Sequence, residues 1–427
     1  MKYLVPIIAL FALLGALPAQ AAASDAEIKQ LREQLQALSV RLDQLEQANT
    51  ELTAVNAKLA AASQETSSEV QRIANQTEQV ESLVNEQTSA ADWSEKIKMK
   101  GDFRYRMENI DQQGRNERNR QRIRARAAIL ADVTNKVEVG LGFASGGDDP
   151  VSTNQTIGGG GSTKDINLDL AYFDWQTGNN THVIGGKFKN ILYKPGKHAL
   201  LWDGDWNPEG VGFKWASGDW FANAIGTWFE SDSRRTDREF SYGLQGGFKK
   251  PLGDAVKLTA GLGYYVINSA GKGSFFGDDD DFYGNSFDPA TNTYLFNYEE
   301  LEIFADLSFK LFDQPASLFL DYVQNQDADA FDSGYAVGVK LGSAKSPGSW
   351  DFTYIYQDLE ADAVFGLVSD SDFGGGGTDG SGHVLKGSYA IGKNFNANFT
   401  YLINEIDANA GSEKDYDRLQ LDLSFKY

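Results

Sequence analysis

Charged and uncharged residues alternate strictly along the segment Lys96–Val133, in two runs separated by a polar stretch. In the first run the uncharged face is Ile97, Met99, Gly101, Phe103, Tyr105 and Met107, and the charged face is Lys96, Lys98, Lys100, Asp102, Arg104, Arg106 and Glu108. In the second run the apolar face is Ile123, Ala125, Ala127, Ile129 and Ala131, and the opposite face is Arg120, Arg122, Arg124 and Arg126. A period of two over about ten residues predicts a β-strand, so the segment predicts a two-stranded hairpin.

Such a hairpin fits two kinds of β protein. A soluble sandwich buries the apolar face, whereas a membrane barrel turns the apolar face to lipid and the charged face to a wet lumen. The wholly uncharged face favours the barrel, and so do later segments with the same one-sided chemistry: Leu301–Phe309, Trp350–Gln357, Phe395–Tyr401 and Leu419–Tyr427. The faces of Ile166–Trp175 and Trp220–Phe229 are not distinguished by the pattern, because both carry apolar residues.

Short and long connections alternate along the rest of the chain. The short ones are Thr134–Lys136, Gly178–Thr181, Ser217–Asp219, Lys250–Ala255, Phe312–Pro315, Ser343–Gly348 and Gly392–Asn394. The long ones are Asn109–Asn119, Gly146–Asp165, Asn190–Glu209, Ser231–Glu239, Ser269–Leu295, Asp327–Ser333, Ala361–Gly382 and Asp407–Asp415. Seven short turns and eight long loops imply sixteen strands with both chain ends at the short-turn side. Bacterial outer-membrane barrels have this arrangement, so residues 91–427 predict an all-β transmembrane barrel of about 16 antiparallel strands.

Two further segments precede the predicted barrel. Residues 1–23 predict a secretory signal peptide, with an apolar run from Tyr3 to Leu17 and the cleavage motif Ala19-Gln20-Ala21. Residues 24–90 predict an α-helical coiled coil in the periplasm, since one heptad phase holds throughout. The a positions are Ile28, Leu35, Leu42, Asn49, Asn56, Ser63, Val70, Thr77 and Val84, and the d positions are Leu31, Leu38, Leu45, Leu52, Leu59, Thr66, Ile73 and Val80. A single amphipathic helix on the barrel is the alternative, but a seven-residue repeat favours self-association.

Composition narrows the class of protein further. The chain of 427 residues has no cysteine, which excludes a disulfide framework and a thiolate metal site. Its net charge of −21 argues against nucleic acid as a partner. The mean hydropathy of −0.41 argues against a helical membrane protein. Mean hydropathy does not detect transmembrane barrels, because half of the residues of each strand face water.

Together these features resemble a known family, the porins of Gram-negative outer membranes that carry an N-terminal periplasmic coiled coil. The resemblance covers essentially the whole chain and rests on the two N-terminal segments and on KIKMKGDFRYRME, NRQRIRARA, LLWDGDWNPEG and the terminal LQLDLSFKY. It implies a sixteen-stranded, trimeric diffusion channel in the outer membrane, and it implies no particular solute. The aromatic C-terminal strand resembles the signal read by the barrel-assembly machinery, although Tyr427 stands where Phe is usual.

The arginine face of the first hairpin is the sharpest candidate site. Pairing the two strands places Arg104 and Arg106 opposite members of Arg120–Arg124, and like charges facing each other destabilise a ladder. Water, transient anions or the carboxylates of Asp102, Glu108, Glu138 and Asp422 must offset this repulsion. The predicted pore lining is Lys98, Lys100, Asp102, Arg104, Arg106, Arg120, Arg122, Arg124, Arg126, Lys187 and Lys189. An ion-pair network that only braces the wall is the alternative.

The loop Asn190–Glu209 is the best candidate for a constriction inside the lumen. It carries Trp202, Asp203, Asp205 and Glu209, and acids placed opposite an arginine wall would create a transverse field across the pore. The alternative is an ordinary outer loop.

Metal binding and catalysis have less support in the sequence. Asp278, Asp279, Asp280 and Asp281 form an acidic run, but they lack the spacing of a Ca²⁺ loop, which favours a solvated loop with loose divalent binding. The three histidines, His182, His198 and His383, are not paired with Ser or Asp at a recognisable spacing. We therefore predict neither an enzyme nor a cofactor.

The sequence thus predicts an outer-membrane porin that forms a water-filled channel for passive diffusion of small hydrophilic solutes and ions. Two alternatives stay open: a substrate-selective channel for an anionic solute or polysaccharide, and a structural spacer between outer membrane and cell wall. The expected partners are further copies of the chain in a homotrimer, outer-membrane lipid and lipopolysaccharide, the barrel-assembly machinery and, through the coiled coil, peptidoglycan.

Overall fold

A computed structural model describes residues 25–88, 96–235 and 237–427 of the chain. The predicted signal peptide and the predicted junction between the helical segment and the barrel lie outside the described residues. The described helix and the described sheet belong to two separate units, divided between residues 91 and 92. The predicted domain boundaries stay a prediction.

The N-terminal unit contains one long helix, α1, which spans Asp25–Thr88 and has 64 residues. Large apolar side chains are exposed along it and follow the predicted heptad seam: Leu35, Leu38, Leu42, Leu45, Leu52, Leu59, Val70 and Ile73. No helix in the described part of the chain is both long enough and apolar enough to cross a membrane. The predicted helix is confirmed, and its association into a coiled coil stays a prediction.

The second unit is a closed barrel of sixteen long antiparallel strands. They are β1 Ile97–Gln112, β2 Arg118–Thr134, β3 Val137–Ser145, β4 Ile166–Gln176, β5 Thr181–Lys187, β6 Glu209–Ser217, β7 Trp220–Glu230, β8 Glu239–Leu252, β9 Val256–Ile267, β10 Tyr298–Leu311, β11 Gln314–Asn325, β12 Ser333–Gly342, β13 Trp350–Leu359, β14 Gly380–Gly392, β15 Phe395–Ile406 and β16 Lys414–Lys426. Each strand pairs with its neighbours in sequence, and β1 closes the ring by pairing with β16. The predicted fold of sixteen strands is confirmed.

All seven predicted short turns join the strand pairs expected of them. One long loop is shorter than predicted. The prediction placed it at Asn109–Asn119, but β1 and β2 continue to pair through Ile110 and Arg118, which leaves residues 113–117 as the loop. The polar residues at the ends of these strands still form backbone hydrogen bonds between β1 and β2. Their polarity therefore did not show where the strands end.

The structure also explains the two strands whose faces were not distinguished. In β4 a bulge opposite Gly142 and Phe143 shifts the register, so Leu168 is exposed before it and Leu170 is buried after it. In β7 the inward residues Phe221 and Ile225 are buried. Inward positions can be apolar there because loops pack against them inside the barrel.

Four loops fill part of the barrel interior: residues 146–165, 188–208, 268–297 and 360–379. They share one apolar cluster with wall residues such as Tyr265, whose neighbour Tyr264 is exposed on the outer face. The loop members of the cluster include Val151, Phe188, Leu200, Trp202, Trp206, Phe282, Tyr294, Phe365 and Val368. The sequence singled out only the second of these loops, so most of this packing was not predicted.

Candidate functional site

The two strands of the first hairpin bring like charges face to face. Arg104 pairs with Arg124 and Arg106 with Arg122, while Asp102 and Glu108 pair with Arg126 and Arg120. On the other side of β1, Arg106 pairs with Asp422 of β16. We call Arg104, Arg106, Arg120, Arg122, Arg124, Arg126 and Arg418 of β16 the arginine wall. Arg418 joins the wall because β16 closes the ring, a contact that the hairpin alone does not reveal.

Three carboxylates of the wall strands offset the repulsion. Asp102 accepts hydrogen bonds from Arg124 at 2.9 Å and Arg126 at 2.8 Å. Asp422 lies 2.8 Å from Arg106. Glu108 bonds Arg120 and, at 2.5 Å, Arg418.

These three acids were among the four candidates in the sequence, and hydrogen bonds to charged partners are the strong class. The fourth candidate, Glu138, instead accepts a hydrogen bond from Tyr172 at 3.1 Å.

Two further carboxylates reach the arginine wall from the inward loops. Asp205 of loop 188–208 lies 2.9 Å from Arg126, and it also accepts a hydrogen bond from the Thr153 hydroxyl at 2.9 Å. Asp372 of loop 360–379 lies 2.7 Å from Arg418 and 3.3 Å from Arg106. Although burial alone would raise it, Arg418 and Arg106 hold the pKa of Asp372 well below its ordinary value. Nothing in the sequence marked Asp372, because its partners lie on strands far away along the chain.

The arginine wall keeps an excess of positive charge. Seven guanidinium groups meet five carboxylates within 4.0 Å, which leaves two charges without a match. Arg104 and Arg122 are the least neutralised, since their nearest carboxylates lie at 3.9 Å and 3.8 Å. Their closer contacts are neutral side chains of loop 146–165, Asn154 for Arg104 and Ser152 for Arg122.

Loop 188–208 crosses the interior of the barrel. Its Asp205 contacts β2, the backbone N–H of Gly196 donates to Asp306 of β10 at 2.8 Å, and His198 contacts Gln357 of β13 at 2.5 Å. Because β2, β10 and β13 lie on different sides of a closed ring, the loop must pass through the space they enclose.

The four candidate constriction residues of this loop have different surroundings. Asp205 alone contacts the arginine wall. Asp203 accepts hydrogen bonds from the backbone N–H groups of Ser371 and Asp205 at 2.9 Å and 2.6 Å, which links the two inward loops. Trp202 is buried and stacks on Trp206 with ring centroids 4.8 Å apart. Glu209 is exposed at the start of β6 and pairs with Lys187 at 2.7 Å.

All but one of the four lysines of the predicted pore lining lie away from the arginines. Lys98 and Lys100 share the even-numbered face of β1 but are exposed near its short-turn end, where Lys98 pairs with Asp132 at 2.9 Å. Lys187 pairs with Glu209, and Lys189 is exposed just beyond the end of β5. Lys189 is the exception, because its charge interacts with those of Arg126 and Arg124. The structure therefore brings the six predicted arginines, Asp102 and Lys189 near one another, and it leaves the other three lysines at the margins.

The acidic run in loop 268–297 does not form a metal site. Within the described ranges no group of three or more His, Cys, Asp or Glu side chains is arranged to hold a metal ion. Asp278, Asp279, Asp280 and Asp281 are all exposed, and the carboxylate of Asp281 accepts the backbone N–H of Asp278 at 2.8 Å. The arrangement fits the solvated loop that the sequence favours.

Comparisons with known proteins agree with this barrel. A family model described as "Putative porin" matches residues 111–274 and 289–427. Among solved structures, OprB of Pseudomonas putida at high pH has a TM-score of 0.53 and 11% identity over 78% of this chain and 95% of its own. OmpF of Salmonella typhi in a complex with daunomycin has a TM-score of 0.48 and 9% identity over 78% and 97%. A mutant porin of Rhodopseudomonas blastica has a TM-score of 0.46 and 10% identity over 78% and 100%.

No curated protein matches the chain. The structural likeness, at 11% identity, shows the fold alone. The family model carries the assignment, because it matches more than half of the chain. It also agrees with the resemblance to outer-membrane porins seen in the sequence. The chain therefore belongs to the porin family that this model describes.

Proposed function

We propose that the protein is a water-filled channel through which small hydrophilic solutes and ions diffuse passively across the outer membrane, with the arginine wall lining the narrowest part of the lumen. The observation that carries the proposal is the contact between this wall and the crossing loop 188–208 through Asp205. Positive side chains on the wall and a carboxylate on the loop create a field across the lumen, which orders water and disfavours apolar solutes.

Conductance of the purified full-length protein in a planar bilayer tests the proposal. Stepwise, ohmic increases in current are expected as single channels insert. A correctly folded barrel that inserts without conducting would instead favour the structural spacer as the function.

The arginine wall should set the charge preference of the channel. The excess of two positive charges favours anions, so neutralising the under-matched Arg122 together with Arg124, as Arg122→Gln and Arg124→Gln, should move the reversal potential in a salt gradient toward cation preference. The matched control is Arg234→Gln with Arg235→Gln in an exposed outer loop, which should leave the reversal potential unchanged. If the wall variant stays folded with an unchanged reversal potential, the arginines only brace the wall.

The charge preference should also depend on pH through Asp203. Burial and the neighbouring Asp370 raise the pKa of Asp203 to about 7, so this carboxyl is mainly ionised at pH 8 and mainly neutral at pH 5. Lowering the pH through this range removes a negative charge from the lumen, and the reversal potential should move toward anion preference. Asp203→Asn should show a smaller pH response than the unchanged protein, and an equal response would assign the effect to another group.

We further propose that three chains associate through their barrel walls and through α1, whose exposed apolar stripe would be covered in a coiled coil. Unheated samples should migrate on SDS gels as a heat-sensitive oligomer, and light scattering in detergent should give the mass of three chains. Deleting residues 24–90 should leave the barrel folded, since all sixteen strands lie beyond this segment. A monomer in light scattering would contradict the trimer.

A selective channel for an anionic solute is the second candidate. The excess charge of the arginine wall favours it over a channel without solute preference. Competition between solutes at low concentration separates the two, because a selective channel saturates and a passive channel does not.

A further inference from the structure

A second basic cavity lies inside the short-turn end of the barrel, apart from the arginine wall. It has a volume of about 630 Å³, and four lysines line it: Lys194, Lys197, Lys214 and Lys249. Two of them come from the crossing loop 188–208, and the other two from the ends of β6 and β8 beside the short turns. We call this cavity the lysine pocket.

The lysine pocket holds positive charge that no carboxylate of its lining neutralises, although Asp203, Asp370 and Asp205 attract Lys194 from outside the lining. No Asp or Glu is among the residues that line it, although acidic residues outnumber basic ones by 60 to 39 in the whole chain. Across the described residues, ion pairs within 4.0 Å form at Lys98, Lys187, Lys272, Lys340 and Lys414 and at none of these four. Lys194 instead donates to the backbone carbonyl of Asp203 at 3.3 Å. Four like charges that converge on one cavity attract an anion.

The other walls of the lysine pocket are apolar and aromatic. Ile191, Leu192 and Trp215 line it, together with the rings of Tyr193 and Phe221. The two rings lie 5.9 Å apart, and the ammonium group of Lys249 lies 5.4 Å and 5.0 Å from their centroids. This contact holds the ammonium group above the rings.

Hydrogen bonds preorganise the aromatic wall. The hydroxyl of Tyr193 donates to Asp306 at 2.8 Å, and its backbone N–H donates to Gln245 at 2.7 Å. A ligand would therefore meet a surface that is already formed, which lowers the entropic cost of binding.

We propose that the lysine pocket binds small carboxylates with an apolar body, for which benzoate is the probe. The carboxylate would contact the ammonium groups, and the ring would pack against the apolar wall. Inorganic phosphate can contact the ammonium groups but not the apolar wall. A neutral aromatic alcohol can pack against the apolar wall but carries no charge for the ammonium groups. The transport role of the pocket rests on the proposed channel, since solutes would pass it after the arginine wall, but binding itself requires no conduction.

Calorimetry of the full-length protein in detergent tests the binding. Benzoate should bind with an affinity that falls with added salt. Acetate, phosphate and benzyl alcohol should each bind at least about tenfold more weakly than benzoate. The double variant Lys214→Gln with Lys249→Gln should weaken benzoate binding about tenfold or more, because each charged contact is worth more than a neutral one. Lys197→Gln should also weaken benzoate binding. The Lys197 side chain is exposed, so this change should not disturb the packing of the loop.

The matched control is Lys257→Gln with Lys310→Gln. These lysines lie near the short-turn ends of β9 and β10 and outside the lining of the pocket, so benzoate binding should not change. Equal affinities for benzoate and phosphate, or unchanged benzoate affinity in both pocket variants, would overturn the proposal. Lysine-dependent binding of benzoate by a protein that does not conduct would support the lysine pocket and contradict the proposed channel. Conduction without benzoate binding would support the channel and contradict the lysine pocket.

Discussion

Glu108→Gln is expected to destabilise the folded barrel by about 3–5 kcal/mol, because it leaves buried arginines without their shared partner. The Glu108 side chain has no exposed surface, and it bonds both Arg120 and Arg418. Arg122 and Arg106 lie within 4.0 Å of the same carboxylate. A glutamine keeps the shape and loses the charge, so four guanidinium groups would repel one another across β1, β2 and β16.

Urea unfolding of the barrel in lipid vesicles, followed by tryptophan fluorescence, measures this loss of stability. Glu117→Gln in the exposed loop after β1 is the matched control and should change the free energy of unfolding by less than about 0.5 kcal/mol. Combining Glu108→Gln with Arg418→Gln should cost less than the sum of the two single changes, since the pair acts as a unit. Additive losses would show that the two side chains are not coupled.

Phe365→Ala should cost about 3–5 kcal/mol for a different reason, the cavity left in the apolar cluster inside the barrel. Phe365 is fully buried, and its ring lies 5.2 Å from Phe229, 5.4 Å from Tyr294 and 5.5 Å from Tyr298. It therefore joins loops 268–297 and 360–379 to β7 and β10. Without this ring, loop 360–379 loses the aromatic contacts that attach it to the barrel wall.

The same unfolding measurement, together with single-channel recording, checks this prediction. We expect a lower free energy of unfolding and a larger, noisier conductance, since loop 360–379 carries Asp372 to the arginine wall. Phe331→Ala, at an exposed ring in the loop after β11, is the control. Unchanged conductance in a destabilised Phe365→Ala barrel would mean that loop 360–379 lies outside the conduction path.

The sequence by itself determined the architecture of the barrel. Lipid and water select opposite faces of every strand, so the alternation in β1 and β2 is visible along the chain without knowledge of any contact. The lengths of the connections then fixed the number of strands and the side on which both ends lie. The pattern did not resolve β4, because a bulge reverses its faces, or β7, because its inward side packs against loops rather than water.

Only the tertiary structure decided which residues meet at the candidate site. The parity of a strand places six arginines on one face, but their partners Asp205 and Asp372 come from segments far away in sequence. The same is true of Arg418, which shares Glu108 with them. Loop composition alone could not separate Asp205, which reaches the arginine wall, from Asp203 and Glu209, which do not. The physical reason is that a strand has two faces fixed by local geometry, whereas the path of a loop inside a closed barrel depends on packing against many strands at once.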